Sequence, residues 1–97
     1  MTTELEIKHD INNGGGRYWV EVEGGSAKLT YKIRSEDVII IDHTYVPPQA
    51  RGRSIARKLV EHAVDEARAR GQKIVPQCPY VARLFDRRPD LNELRAA

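Results

Sequence analysis

The segment VPPQARGRSIARKLV, which spans residues 46–60, combines residue types that suit the binding of an anion. Gly52 lies immediately before a predicted helix, where the first backbone N–H groups lack helical partners and the helix dipole favours negative charge. Glycine lets a backbone approach a phosphate closely, and Ser54 can either cap the helix or donate to a phosphate oxygen. Arg51 and Arg53 can add charge-assisted contacts. The segment therefore predicts a site for a pyrophosphate.

This loop does not follow either of the common nucleotide-binding sequences. It lacks the Gly-Lys-Ser/Thr ending of a P-loop, and its single glycine falls short of the three in a dinucleotide-binding fingerprint. A plainer interpretation also fits, in which Pro47-Pro48 stiffen a turn and the arginines are solvated charges. No metal site is predicted, because His43 and Cys78 would supply only two candidate ligands.

The first half of the chain must supply the strands that position this loop, since apolar and polar residues alternate there. Three strands are predicted, separated by turns at INNGGG and Gly24-Gly25. Residues 37–45 contain four consecutive β-branched residues and predict a central strand covered on both faces. The side chains predicted to face the core from the first three strands are Leu5, Ile7, Tyr18, Val20, Val22, Ala27, Leu29, Tyr31 and Ile33.

The apolar period then changes to 3.6, which indicates a helix over about residues 53–70, ended by Gly71. KIVPQC predicts a short strand in which Pro76 limits pairing or forces a bulge. YVARLFDRR predicts a second helix that stops before Pro89. The apolar helix positions are Ile55, Leu59, Val60, Ala63, Val64 and Ala67, then Val81, Leu84 and Phe85. The order ββββ-α-β-α predicts an α/β protein of the α+β type, with a mixed, mainly antiparallel sheet in a single domain, 1–97.

Composition and charge give no support to several classes of function. A net charge of +2 is too small to argue for nucleic-acid binding. No apolar run approaches the ~20 residues of a membrane helix, and MTTELEIKHD has no apolar stretch typical of a secretory signal. With one cysteine, Cys78, no internal disulfide is possible, so we expect a cytoplasmic protein. His9 and His62 are predicted to be surface residues.

Two separated motifs resemble a known family. VPPQARGRSIARKLVEHAV resembles the acetyl-CoA loop of the GNAT superfamily of N-acetyltransferases, with signature Gln/Arg-x-x-Gly-x-Gly/Ala. Gln49, Gly52 and Ser54 occupy its fixed positions, and the serine departs from the usual Gly or Ala. IDHTYVPPQARGRSIARKLV and VPQCPYVARLFDRRP together resemble the minimal GNAT-like group, which pairs an HTxV strand end with a later CPY or CSY-like motif. This resemblance covers residues 37–89, and Tyr45 stands where relatives often carry an acidic residue.

The resemblance implies a GNAT-like fold with acetyl-CoA as co-substrate and no metal. In that fold the central strand and the following short strand splay apart, and the pantetheine arm bonds to the edge of the first like an added strand. The pyrophosphate would then lie on the loop. The residues implied in acetyl-CoA binding are His43, Thr44, Tyr45, Val46, Gln49, Arg51, Gly52, Arg53, Ser54, Ile55 and Ala56.

The resemblance also implies acetyl transfer to an amine and names three candidate catalytic residues. Cys78 lies just past the short strand, where the thioester should reach, and it can act as a nucleophile, protonate the leaving sulfur or position substrate. His43 is the candidate base for this thiol, and Tyr80 is a candidate proton donor to the CoA sulfur. Each also has a structural alternative: a small buried hydrophobe for Cys78, a core histidine for His43 and a packed aromatic for Tyr80.

Two other functions fit the same sequence. One is a CoA-binding module with little or no catalysis. The other is a basic interaction domain for RNA or protein, which would use Arg51, Arg53, Arg57 and the cluster Arg83, Arg87 and Arg88. Nucleic acid is the less favoured partner, because stacking aromatic residues do not alternate with these arginines. The sequence identifies neither the amine acceptor nor the oligomeric state.

Overall fold

The computed structural model describes residues 6–96, and Leu5 lies outside them. The strands and helices follow the predicted order ββββ-α-β-α, so that prediction is confirmed. Two short 3-10 segments, Pro48–Ala50 and Pro89–Leu94, are additional. In chain order the elements are β1 (Lys8–Asn12), β2 (Gly15–Val22), β3 (Gly25–Ser35), β4 (Val38–Tyr45), α1 (Ile55–Ala69), β5 (Lys73–Pro76) and α2 (Pro79–Arg87).

The five strands form one sheet whose spatial order is the order of the chain, β1-β2-β3-β4-β5. The first four strands are antiparallel neighbours joined by short turns. β5 pairs with β4 in parallel, because α1 returns the chain to the end of the sheet where β4 begins. The sheet is therefore mixed and mainly antiparallel, as predicted.

One hydrophobic core lies between a single face of the sheet and the helices. All six predicted apolar positions of α1 are buried, and Val81 and Phe85 of α2 are buried beside a half-buried Leu84. The prediction that β4 is covered on both faces is wrong. Ile39 and Ile41 are buried, whereas Val38 and Ile40 are only half-buried on the other face. The run of β-branched residues thus reflects strand propensity rather than burial on both sides.

Most of the predicted inward-facing strand residues are buried or half-buried against the core. Ile33 is the exception among those that the structure describes, with 40% of its surface exposed. It shares the core face with Tyr31 but lies near the end of β3, where the register with β4 shifts between Ile33 and Ser35. A side chain at a sheet end can have the correct orientation and still lie beyond the helices.

His9 and His62 are partly buried, so the prediction that both are surface residues is wrong. The ring of His9 stacks on Tyr18 with centroids 4.1 Å apart, and its Nε2 atom lies 2.6 Å from the Tyr31 hydroxyl. His62 of α1 meets Tyr18 edge-on at 5.2 Å. Burial, followed by the charge of Arg70, lowers the pKa of His9. We call His9, Tyr18, Tyr31 and His62 the aromatic cluster.

Candidate active site

A bulge in β4 decides which side chains reach the candidate site. Tyr31 pairs with Ile41 and Thr30 pairs with His43, so Asp42 is an extra residue in β4. The Thr30 hydroxyl donates to Asp42 Oδ1 at 2.7 Å, which places Asp42 and His43 together on the outer face of the sheet. Without the bulge, the alternation from Ile39 and Ile41 would direct His43 toward the core. With it, Thr44 faces that side instead.

β4 and β5 separate immediately after this pairing. The last register pair joins Ile41 to Pro76, as expected if the proline limits pairing. The amides of Gln77 and Cys78 then both donate to the Ile41 carbonyl, at 3.1 and 2.9 Å, and the chain turns into α2. β4 continues to Tyr45, with only β3 beside it among residues 6–96. This leaves a fork with an open backbone edge on the second half of β4.

Cys78 lies at the base of the fork and is 6% exposed. Its Sγ atom is 3.6 Å from the Thr44 Oγ1 atom. Burial raises the pKa of the thiol, but hydrogen bonds from the Thr44 hydroxyl and from backbone groups of Val81, Tyr80 and Thr44 outweigh it, so the pKa lies below its ordinary value. Cys78 is the N-cap residue of α2, and the start of a helix favours a negative charge such as that of a thiolate.

The structure brings Thr44, and not His43, to the thiol. His43 is exposed on the outer face with Thr30, so it is not placed to act as the base that the sequence predicted for Cys78. The bulge at Asp42 is the physical reason, because it shifts the alternation of the strand by one residue. The sequence predicts Thr44 only as one of the residues implied in acetyl-CoA binding, and nothing in the sequence signals the bulge.

The loop between β4 and α1 has the backbone of an anion site. Gly52 has φ +86° and Ser54 has φ 60°, while Arg53 between them has negative φ. Such alternation forms concave arrangements of N–H groups that bind anions. The first amide of α1 with a helical partner is that of Lys58, which donates to the Ser54 carbonyl at 3.0 Å. The amides just before it, at the start of α1, are therefore free of helical partners.

Ser54 does not cap α1 through its side chain, so that predicted role is wrong. Its left-handed backbone conformation replaces the extended conformation from which a capping serine normally reaches the following amides. The helix consequently begins at Ile55 rather than at residue 53. The Ser54 hydroxyl makes no side-chain hydrogen bond within residues 6–96, and it lines the cleft described next.

Most of the predicted loop residues line one cleft of about 300 Å³, the loop cleft. Arg51 donates from Nε to the Val46 carbonyl at 3.0 Å, at the end of the open β4 edge. Arg53 forms a 3.4 Å ion pair with Glu23, but both side chains are 61% exposed, so the pair is weak and easily exchanged for another anion. The cleft is lined by Val46, Ala50, Arg51, Gly52, Ser54, Ile55, Ala56 and Tyr80.

Gln49, the first fixed position of the resemblance, does not line this cleft. It lies against the β2–β3 turn, where a Cβ atom on Gly24 would be only 2.5 Å from Gln49 Oε1. Gly24 also has φ +90°, so its backbone conformation favours glycine, and a side chain there would have to displace the end of Gln49. Gln49 thus holds the loop against the turn. Tyr45 lies outside the cleft as well and is 40% exposed.

Two absences hold for the part of the chain that the structure describes. No group of three or more histidine, cysteine, aspartate or glutamate residues in 6–96 is arranged to hold a metal ion. Within the same range, no helix is both long and apolar enough to cross a membrane.

Comparison with solved structures identifies the class of fold. The protein matches the NMR solution structure of a GCN5-like protein from Staphylococcus aureus with a TM-score of 0.74 and 23% identity, over 99% of this chain and 92% of the other. It matches the crystal structure of a ribosomal-protein-alanine N-acetyltransferase from Brucella melitensis biovar Abortus 2308 with a TM-score of 0.59 and 20% identity, over 89% of this chain and 64% of the other. At these identities the two matches establish a shared N-acetyltransferase fold.

The family model described as GCN5-related N-acetyl-transferase matches residues 17–94. The chain belongs to this family of acetyltransferases, which confirms the resemblance drawn from its loop. The match includes β4, the loop, α1 and α2, and therefore every element that builds the fork and the loop cleft.

Proposed function

We propose that this protein binds acetyl-CoA between the loop cleft and the β4–β5 fork and transfers the acetyl group to an amine. The observation that carries the proposal is the open edge of β4. It connects two features that a thioester of CoA needs at its two ends: an anion-binding loop after Tyr45 and a reactive thiol at Cys78. Both lie on the same side of the sheet, next to α1 and α2.

The pantetheine arm carries amide groups, and an open strand edge offers them backbone donors and acceptors. Backbone groups of residues 43–46 would bond to the arm, which assigns His43 and Tyr45 a backbone role although their side chains face away. The pyrophosphate would bind the amides around Gly52 and the start of α1. Arg51 lies where the β4 edge meets the loop, because its side chain donates a hydrogen bond to the Val46 carbonyl.

In the reaction the neutral amine attacks the carbonyl carbon of the thioester. The carbon–sulfur bond then breaks, the CoA sulfur leaves as a thiolate and takes up a proton, and the nitrogen loses one. Cys78 has two possible roles that balance equally well. As a thiolate it attacks the carbonyl first and carries the acetyl group before the amine receives it. As a thiol it donates the proton to the leaving sulfur, a role for which Tyr80 is the alternative.

Binding is tested by calorimetric titration with acetyl-CoA, with ATP as a competing phosphate ligand. Gly52→Ala and Gly14→Ala form a matched pair, because both glycines have positive φ, +86° and +82°, and open space around a new Cβ. Each substitution should cost about 1 kcal/mol of stability through the backbone alone. Only Gly52→Ala should weaken acetyl-CoA. Equal acetyl-CoA affinity in the two variants would overturn the loop assignment.

Transfer is tested with a panel of amines that includes peptide N-termini, lysine and polyamines, while released CoA thiol is measured. Intact mass after acetyl-CoA is added without an acceptor distinguishes the two roles of Cys78, since only the nucleophile gains the mass of an acetyl group. Saturable binding without turnover on any amine would favour a CoA-binding module. We also infer a reducing, cytoplasmic compartment, in which a low-pKa thiol persists unoxidised.

A further inference from the structure

A second cleft lies between α1 and α2, and acetyl transfer as proposed above does not use it. It has a volume of about 300 Å³ and is lined by Arg57, Tyr80, Arg83, Leu84, Arg87 and Arg88. We call it the arginine cleft. No acidic side chain lines it within residues 6–96, so its lining is four guanidinium groups, one phenol and one leucine. A lining of this kind attracts an anion with several oxygens.

The four arginines differ in how their charge is balanced. Arg57 pairs with Glu61 at 3.2 Å, and Arg88 pairs with Glu61 and with Asp90 at 2.9 Å. The ion pairs and side-chain hydrogen bonds within residues 6–96 involve Arg57 and Arg88 but neither Arg83 nor Arg87. Arg83 and Arg87 are four residues apart on α2, so their Cβ atoms lie on one face of the helix, about 6 Å apart. Their long side chains can therefore reach the same phosphate.

The arginine cleft adjoins the loop cleft, because Tyr80 lines both. It does not include Cys78 or Thr44, the residues at the base of the fork. A ligand whose pyrophosphate lies on the loop therefore has two exits. One follows the open edge of β4 toward the thiol, and the other passes Tyr80 into the arginine cleft.

We propose that the arginine cleft binds the 3′-phosphate of the CoA ribose, with Arg83 and Arg87 as its principal ligands. The inference rests on the proposed function, because it uses the placement of pyrophosphate on the loop. In CoA the thioester and the phosphorylated nucleoside leave the pyrophosphate in opposite directions. Once the thioester occupies the fork, the remaining phosphate must leave the loop cleft in another direction, and the adjoining cleft that shares Tyr80 holds the unpaired arginines.

An acidic acceptor is the alternative anion for this cleft. Its amine would have to reach the thioester carbon beside Cys78, and neither Cys78 nor its partner Thr44 lines this cleft. The nucleotide end of the donor has no such constraint. The structure therefore favours the phosphate that belongs to CoA itself, and an effect on acceptor binding alone becomes an outcome that would contradict the proposal.

The test compares CoA with 3′-dephospho-CoA by calorimetry, for the wild-type protein, the double variant Arg83→Ala/Arg87→Ala and the control Arg34→Ala. Arg34 is also exposed and without an ion pair within residues 6–96, but it lies at the end of β3 that pairs with the start of β4, away from both clefts. Wild-type protein and Arg34→Ala should bind CoA about tenfold or more tightly than the dephospho form. The double variant should lose about that factor for CoA and show no preference.

Each outcome is decisive. A preference for CoA that persists in the double variant would place the 3′-phosphate elsewhere, and no preference in wild-type protein would mean that this phosphate is not recognised. Loss of acceptor affinity without any change for CoA would assign the cleft to an acidic acceptor. If neither nucleotide binds wild-type protein, the proposed function itself fails. The single variant Arg87→Gln controls for misfolding. It should keep the thermal midpoint of the wild-type protein and still bind CoA more weakly than the wild-type protein does.

Discussion

The aromatic cluster and the fork both place titratable groups beside the core, but the first favours their neutral forms and the second favours a charged form. In the aromatic cluster, burial lowers the pKa of His9 and raises that of Tyr18 to about 12, so both shifts favour the neutral form. In the fork, hydrogen bonds from Thr44 and nearby backbone groups overcome burial at Cys78 and favour the charged form.

The direction of these pKa shifts distinguishes the polar groups of the aromatic cluster, which support the fold, from Cys78, which is suited to react. Groups kept neutral and bonded to one another, as His9 is to Tyr31, act as part of the core. A thiol whose thiolate is stabilised next to an open strand edge is available to react. The direction of a pKa shift is therefore more informative than burial alone, because Tyr18 and Cys78 are both nearly inaccessible.

The largest expected effect is on stability, in the aromatic cluster. Tyr18→Ala removes a side chain that is 2% exposed and contacts both histidines, so it should lower the free energy of unfolding by about 3–5 kcal/mol. Urea unfolding measures the loss. Ile11→Ala, in the neighbouring strand with 62% of its surface exposed, should cost no more than about 0.5 kcal/mol. A large loss of acetyl-CoA affinity in a folded Tyr18→Ala protein would remove the contrast between the two regions.

The next effect is on turnover, at the fork. Cys78→Ala should reduce acetyl transfer by ~100-fold if the thiol takes part in the reaction, which is the lower range for a proton-transfer or nucleophilic group. Its cost in unfolding free energy should be about 1 kcal/mol, similar to the loss of one buried methyl-sized group. Released CoA thiol and urea unfolding measure the two quantities. Unchanged turnover would make Cys78 a core residue like those of the aromatic cluster.

A smaller effect is expected from the partner of the thiol. Thr44→Val keeps the shape of the side chain and removes the hydroxyl, so the pKa of Cys78 should rise. The pH profile of thiolate absorbance and of alkylation by iodoacetamide should move to higher pH. Thr30→Val is the matched control, because its hydroxyl bonds Asp42 on the opposite face of the sheet. The same profile in both variants would show that Thr44 does not stabilise the thiolate.

The smallest effect is the acid sensitivity of the aromatic cluster. The folded-state pKa of His9 lies below its ordinary 6.5, so below about pH 6.5 the unfolded chain takes up a proton more readily than the folded chain. Stability should therefore fall as pH decreases through that region. Urea unfolding of wild-type protein and His9→Asn across this range provides the measurement. If the variant loses as much stability as wild type, the acid sensitivity arises at other groups.

The fold followed from the sequence where a pattern repeats over many residues. Six apolar positions along α1 were predicted and all six are buried, since one wrong residue hardly changes an amphipathic stripe. In the same way, the alternation of apolar and polar residues in β2 and β3 predicted both the strands and the side chains that face the core. Gly52 before the helix was sufficient to predict a loop that the structure shows with two left-handed residues.

The site followed less completely, because it depends on single local departures from those patterns. One extra residue, Asp42, turns His43 outward and Thr44 inward, and no composition signal marks a bulge. The left-handed conformation of Ser54 removed its predicted capping role in the same way. The burial of His9 and His62 depends on the tyrosines that each contacts from other elements, and such tertiary contacts leave no local pattern in the sequence. The roles of the loop residues and of Cys78 stay predictions that the experiments above address.

The order of the strands has a consequence for how the molecule assembles. β1 to β4 neighbour one another through short turns, whereas the pairing of β4 with β5 must wait until the whole of α1 has closed the intervening chain. Contacts across short loops form sooner than contacts across long ones, because less chain entropy is lost. We expect the antiparallel meander to form early and the fork to be completed last. A ligand held across the fork would then act mainly by slowing unfolding, so bound acetyl-CoA should lengthen the lifetime of the folded state.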